Sequence, residues 1–174
     1  MRVIGGEFRS RRLKTLPGLS LRPTPDRLRE SLFNVLAPRI EGSIFLDAYA
    51  GSGAVGIEAV SRGAARAIFV EKHFSAVRVI RENVQSLGIE DRATVVQGAA
   101  GPALARLEAD IYFLDPPYTS QTEYHTALDI LGERTGLILA QHDRRLKLSE
   151  TYGRLRRTRV LAQGDNEISF YTAS

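Results

Sequence analysis

Residues 44–63 read IFLDAYAGSGAVGIEAVSRG, and the fold follows from how this stretch changes character along its length. IFLD (44–47) is a short apolar run ending in an acid, Gly51-x-Gly53-x-x-Gly56 follows, and Gly53 to Arg62 has the composition of a helix. A strand, a glycine loop and a helix in that order form a nucleotide-binding unit: glycines permit the tight turn and let a ligand lie against the backbone, while the helix start offers free N–H groups. AIFVE (67–71) is the next strand, and its last residue, Glu71, stands 20 residues after Gly51. A carboxylate at that position can accept hydrogen bonds from two ribose hydroxyls, which points to an adenosine cofactor. Among such cofactors, a dinucleotide places its dianionic pyrophosphate directly on the loop. Asp47, just ahead of the loop, suits a cationic sulfonium ligand with an amino group better. Glycines that serve only helix–strand packing, and a solvated Glu71 paired with Lys72, are the structural alternatives.

The same alternation continues outward. His73 to Leu87 is helical and ends at Gly88, TVVQ (94–97) is a strand, Pro102 to Leu107 a short helix, and IYFLD (111–115) a strand with two apolar faces. Thr122 to Leu131 is helical, and LILAQ (137–141), RTRVLA (157–162) and EISFY (167–171) are strands. Apolar strands alternating with helices predict a parallel sheet covered on both faces, and the tight segment at 163–166 predicts a closing hairpin. The expectation is a Rossmann-like α/β domain with a seven-stranded, mostly parallel sheet whose last strand is antiparallel. On the N-terminal side, Leu28, Leu32, Phe33, Val35 and Leu36 recur at helical spacing over Pro25–Ala37, with Thr24 as N-cap, Pro25 at the first helical position and Pro38 as the stop. Residues 2–14 suggest a short hairpin around Gly5-Gly6, joined through the linker-like Thr15–Pro25. The 174 residues thus divide into an arm, 1–24, and one domain, 25–174, with no room for a second.

Asp115-Pro116-Pro117-Tyr118 falls at the end of the fourth strand, on the carboxyl edge it shares with the glycine loop, where open α/β sheets bind ligands. Each proline fixes φ and lacks an N–H, so the turn is stiff and exposes carbonyl acceptors without competing donors. An amino group needs acceptors. The Asp115 carboxylate and the Pro116 carbonyl can each take one N–H of a nucleobase amine and aim its lone pair at a methyl group, while Tyr118 stacks on the base, a contact worth about 1–3 kcal/mol. The plain structural alternative is a strand exit whose Asp caps the next element and whose Tyr packs on the core.

Other chemistries lack support. The chain has no cysteine, which excludes disulfides, Cys-based zinc sites and thiol catalysis. His73, His125 and His142 are scattered, so no metal site is expected, and His142 reads as packed or phosphate-binding rather than as a base. Ser52 lacks the surroundings of a nucleophile elbow. The N-terminus has no apolar signal-peptide core and no 18-residue apolar run occurs, so a soluble cytoplasmic protein is expected. Residues 1–29 hold eight Arg or Lys against two acids, leaving 16 basic and 18 acidic residues elsewhere, so positive charge concentrates in the arm. Arg9, Arg11, Arg12, Lys14, Arg22, Arg27 and Arg29 are therefore candidate RNA contacts, with a second basic cluster from Arg144 to Arg159. A solvated basic surface is the alternative.

Taken together, MRVIGGEFRSRRLKT, LRPTPDRLRESLFNVL, DAYAGSGAVGIEAVSRGA, FVEK, FLDPPY and EISFY resemble the RsmD-type methyltransferases of bacteria over nearly the whole chain. The resemblance implies transfer of methyl from S-adenosylmethionine to the exocyclic N2 of a guanine in small-subunit (16S) ribosomal RNA, within a subunit or assembly intermediate, by a monomer that uses no membrane. It implies a cofactor site at Asp47, Ala48, Tyr49, Gly51, Gly53, Glu71, Lys72, Gly98 and Ala99, and a base site at Asp115–Tyr118. Arg22, Asp26 and Arg29 would belong to a substrate-facing segment. Two positions depart from the family pattern: Ala99, where an acid is common, and Gln141, where Glu is common. An amino methyltransferase acting on adenine or cytosine in DNA, and a non-catalytic RNA-binding module, remain as alternatives.

Overall fold

The computed structural model describes residues 1–17, 24–117 and 121–174. It contains β1 (Ile44–Asp47), β2 (Arg66–Glu71), β3 (Ala93–Gln97), β4 (Ile111–Leu114), β5 (Leu137–Asp143), β6 (Thr151–Tyr152), β7 (Leu155–Gln163) and β8 (Asn166–Ala173) in one sheet of order β3-β2-β1-β4-β5-β8-β7-β6. β1 to β5 pair in parallel, and β8 inserts antiparallel between β5 and β7. Chain order reverses about β1, between β2 and β4, which opens a crevice at the carboxyl ends of the central strands.

Alternation along the central strands sorts their side chains onto two faces. Leu46, Tyr112, Leu114, Ile138 and Ala140 pack with residues of α4 (Ala100–Arg106) and α5 (Gln121–Ile130). Phe45, Phe113 and Leu139 pack with α1 (Asp26–Ile40) and α2 (Ala54–Ser61). Both faces are buried, which is why these strands are apolar throughout.

The sheet has eight strands among the described residues rather than the expected seven. The added one, β6, pairs only Thr151 and Tyr152 with β7 through the turn at Gly153, and two residues carry no periodicity to read. Pro25, not Thr24, is the N-cap of α1, because the Thr24 hydroxyl instead donates to Gln141 Oε1 at 2.9 Å. Pro38 does not stop α1 either: the helix runs on to Ile40, whose side chain is buried.

Residues 1–14 fold back on themselves through an antiparallel bridge between Arg2 and Arg12 and lie against α2 and α3 (Phe74–Leu87). Val3, Phe8 and Leu13 are buried in a cluster with Ile57 and Ile80. Gly6 has a φ of 80°, and a Cβ there would meet the Ser61 carbonyl oxygen at 1.9 Å, so only glycine allows this close approach. Glu58, fully buried, accepts the N–H groups of Ile4 and Gly5 at 2.9 Å each and pairs with Arg62 at 2.8 Å.

One candidate RNA contact must be corrected. Arg29 is fully buried, donates to the Arg2 carbonyl at 2.5 Å and faces Glu58 at 3.5 Å, so it ties the arm to the domain and has no surface for RNA. Arg9, Arg11, Arg12, Lys14 and Arg27 are exposed. Arg11 donates to the Ser86 carbonyl and Lys14 pairs with Glu82, both on α3. Arg22 lies outside the described residues.

Candidate active site

A cleft of about 810 Å³ opens at the carboxyl ends of β1, β4 and β5. Asp47, Tyr49, Gly51, Asp115, Pro116 and Pro117 line it, so the glycine loop and the proline turn share one chamber. Tyr118 lies outside the described residues. Met1 and Leu16 of the N-terminal segment form part of its wall, as do Thr24 and Tyr124, which the sequence did not mark as site residues, and Gln141 and His142, which it noted without a role in the cleft.

Gly51 and Gly53 adopt φ values of 57° and 88°, as the turn into α2 requires. Gly56 serves packing instead, since a Cβ there would meet the Phe69 ring at 2.4 Å. The loop is braced by Glu71, whose Oε2 accepts the Gly51 N–H at 2.9 Å while its Oε1 accepts the His73 N–H at 3.1 Å. Each carboxylate oxygen retains capacity for another donor. Gly98 donates its N–H to the Glu71 carbonyl at 3.0 Å, which brings the turn after β3 beside the loop. Glu71, Lys72, Gly98 and Ala99 thus stand at neighbouring strand ends but outside the cleft walls; Lys72 and Ala99 are exposed. Ala48 is buried in the core.

Asp47 is the most unusual polar group of the site. It is 1% exposed, and among the described residues its Oδ1 has no hydrogen-bond partner. Burial, with the nearby Glu71 charge adding to it, pushes its carboxyl up to about 7 against the opposing N–H groups of Gly56 and Tyr49. A buried acceptor without a donor is costly unless a ligand completes it. The amino group of a cationic amino-acid ligand matches this acceptor in chemistry and charge. The raised value means that the folded protein binds a proton the unfolded chain releases, so Asp47 lowers stability as pH rises from about 4 to 7. A cation that needs the carboxylate must displace that proton. Affinity for S-adenosylmethionine is therefore expected to weaken about five- to tenfold between pH 7.5 and pH 6, and Asp47→Asn to bind weakly with little dependence on pH in that range. Calorimetric titration at the two pH values checks this; equal slopes for both proteins would remove Asp47 from cofactor binding.

Around the cleft, other groups are fixed rather than free to react. Burial and the hydrogen-bonded Glu123 carboxylate raise the Tyr49 phenol, which stays protonated as a donor. Burial lowers His142, keeping it neutral. Its Nδ1–H donates to the Asp143 carbonyl at 2.9 Å, so Nε2 accepts the Ser169 hydroxyl at 2.8 Å, and both ring nitrogens are committed. The Tyr124 hydroxyl donates to the Gln141 carbonyl at 2.6 Å, and burial followed by the Asp115 charge raises its pKa.

Comparison with known proteins agrees with this geometry. The family model described as "Conserved hypothetical protein 95" matches residues 1–172. The Bacillus subtilis protein YlbH is 39% identical over 98% of this chain and 98% of its own length. The ribosomal RNA small subunit methyltransferase D of Escherichia coli is 42% identical over 68% of this chain and 60% of its own. The solved structure of the Escherichia coli protein yhhF superposes with a TM-score of 0.88 at 32% identity, covering 100% of this chain and 98% of that one. The match runs through the arm, the glycine loop and the closing strands, and the chain belongs to the RsmD-type family of S-adenosylmethionine-dependent methyltransferases.

Proposed function

We propose that this chain methylates the exocyclic N2 of a guanine in small-subunit ribosomal RNA. The observation that carries the reading is the cleft itself: a buried, partnerless carboxylate oxygen of Asp47 and the acceptor-rich Asp115-Pro116-Pro117 turn line the same chamber. S-adenosylmethionine supplies an electrophilic methyl group on a positively charged sulfur. Asp47 holds the donor's amino end, the glycine loop lies along it, and Glu71 accepts ribose hydroxyls, with Lys72, Gly98 and Ala99 flanking the base. Asp115 accepts one N–H of the guanine amine, the Pro116 carbonyl accepts the other, and the carboxylate takes up the proton that the nitrogen loses. Tyr118 stacks on the base.

The substrate reading draws on the name of the Escherichia coli relative, a ribosomal RNA small subunit methyltransferase, and on the exposed basic residues of the arm. In this reading residues 1–24 form an RNA-facing unit on the catalytic domain 25–174. The enzyme acts as a cytoplasmic monomer, without a metal, on RNA within a ribosomal subunit or assembly intermediate. No described helix is long and apolar enough to cross a membrane.

The test offers labelled cofactor with small ribosomal subunits, naked ribosomal RNA and DNA, followed by mass spectrometry of the digested nucleosides. N2-methylguanosine from ribosomal RNA is expected; label confined to DNA overturns the reading. Replacing Arg9, Arg11 and Arg12 together by Ala is expected to weaken RNA binding and reduce the slope of log affinity against log salt by about 2 to 3, one released counterion per lost phosphate contact. An unchanged slope in a salt titration would remove the arm from the RNA interface.

A further inference from the structure

We propose that Gln141 reads the O6 edge of the target guanine, and so separates guanine from purines that lack this carbonyl. The inference rests on the guanine reading above and adds to it a second recognition point.

Gln141 is placed for this by the sheet. In the parallel β4–β5 pair, Leu114 stands opposite Ala140, so the next residues, Asp115 and Gln141, are lateral neighbours about 4.8 Å apart across the strands. Alternation puts them on one face: Phe113 and Leu139 share one cluster, Leu114 and Ala140 the other, and residues 115 and 141 return to the side of Phe113. Both line the cleft. The strand spacing is comparable with the distance between N2 and O6 along the Watson–Crick edge of a guanine. A base whose N2 amine rests on Asp115 therefore brings O6 to the next strand.

The chemistry presented there is that of a donor. Gln141 is 4% exposed, and its Oε1 accepts the Thr24 hydroxyl at 2.9 Å. Among the described residues its amide nitrogen makes no hydrogen bond, although the side chain borders the cleft. The backbone is held as well, through the Tyr124 hydroxyl on the Gln141 carbonyl at 2.6 Å. Thr24 engages the amide oxygen and so orients the group, and the N–H donors are the half left for a ligand. Guanine offers an acceptor at O6, adenine a donor at N6, and a donor paired with a donor is repelled. Structural pinning of the segment before α1 explains the Thr24 bond, but not why the unspent half of the amide borders the cleft.

The experiment uses the full chain and small-subunit RNA in which the mapped target nucleotide is guanine or 2-aminopurine. The latter keeps the 2-amino group and lacks O6. Single-turnover rates are compared for the wild type, Gln141→Ala, Gln141→Leu and Thr24→Val. The wild-type preference for guanine is expected to fall about tenfold or more in Gln141→Ala and Gln141→Leu, because the rate on guanine drops while that on 2-aminopurine barely changes. Thr24→Val, which keeps the amide but releases it, is expected to lower the preference less. Equal losses on both bases would mark Gln141 as purely structural and overturn the inference with the guanine reading intact. A wild-type enzyme that leaves guanine N2 unmodified would overturn both.

Discussion

Replacing Asp115 by Ala is expected to slow methyl transfer by two to three orders of magnitude while changing cofactor affinity less than about twofold. The size follows from the role. A nucleobase amine is a weak nucleophile, and removing one preorganised electrostatic partner of a reacting group typically costs about 100- to 1,000-fold in rate. Asp115 is half-buried just past the end of β4 and is followed by the buried Pro116, whose fixed φ stiffens the turn that carries the carboxylate. In the proposed arrangement the cofactor rests on other groups: Asp47 at the end of β1, the loop at Gly51 and Gly53, and Glu71 at the end of β2. Asp115→Asn keeps one carbonyl acceptor but loses both the charge and the proton acceptor, so its rate should fall between those of Asp115→Ala and the wild type. Single-turnover transfer with labelled cofactor gives the rates, and calorimetry gives the affinity. A large loss of cofactor binding in Asp115→Ala would move this carboxylate from the base site to the cofactor site.

The parts of this molecule that could be read from sequence are those whose physics is local. Asp47, the glycine loop and α2 are contiguous, and Asp115-Pro116-Pro117 carries its stiffness in its own covalent structure. The runs that form β1, β4 and β5 could be read as strands covered on both faces because each is short, 4–7 residues, and apolar on both. What escaped is set by contacts distant in sequence. The Thr24–Gln141 bond spans 117 positions, and no periodicity of either segment announces it. The burial of Arg29, by contrast, was available: it stands three, four and seven residues before Leu32, Phe33 and Leu36, on the apolar stripe of α1 rather than on its polar face. Composition groups its charge with the basic N-terminal segment, whereas helical spacing assigns it to the buried face of α1. Glu58 carries the same signal as a lone acid in the apolar helix AVGIEAVS. A charge in such a place asks for a buried partner, though the sequence does not say that the partners are Arg29, Arg62 and the arm's backbone.

That buried cluster leads to the largest expected effect on stability. Glu58→Ala removes the acceptor of two backbone N–H groups, at Ile4 and Gly5, and the charge that faces Arg62 and the fully buried Arg29. Among the described residues Arg29 already has its Nε and Nη1 without hydrogen-bond partners, so losing Glu58 leaves a buried cation whose remaining described partners are the Arg2 carbonyl and the exposed Asp26. Breaking a buried ion pair in this way costs roughly 3–5 kcal/mol, which for a domain of this size corresponds to a Tm lower by about 10 °C. The arm should also loosen selectively, because Val3, Phe8 and Leu13 are held in their cluster by the same backbone contacts. Met1 and Leu16 wall the cleft, so cofactor affinity is expected to fall even though Glu58 lies outside its lining. Thermal unfolding measures the first effect, and hydrogen exchange at the Ile4 and Gly5 amides the second. Removing the stranded cation as well, in Glu58→Ala with Arg29→Leu, should recover part of the loss, since most of the penalty is the unpaired charge and not the missing attraction. A Tm change below about 2 °C in Glu58→Ala would mean that water reaches Arg29 and that the arm is held by its apolar residues alone.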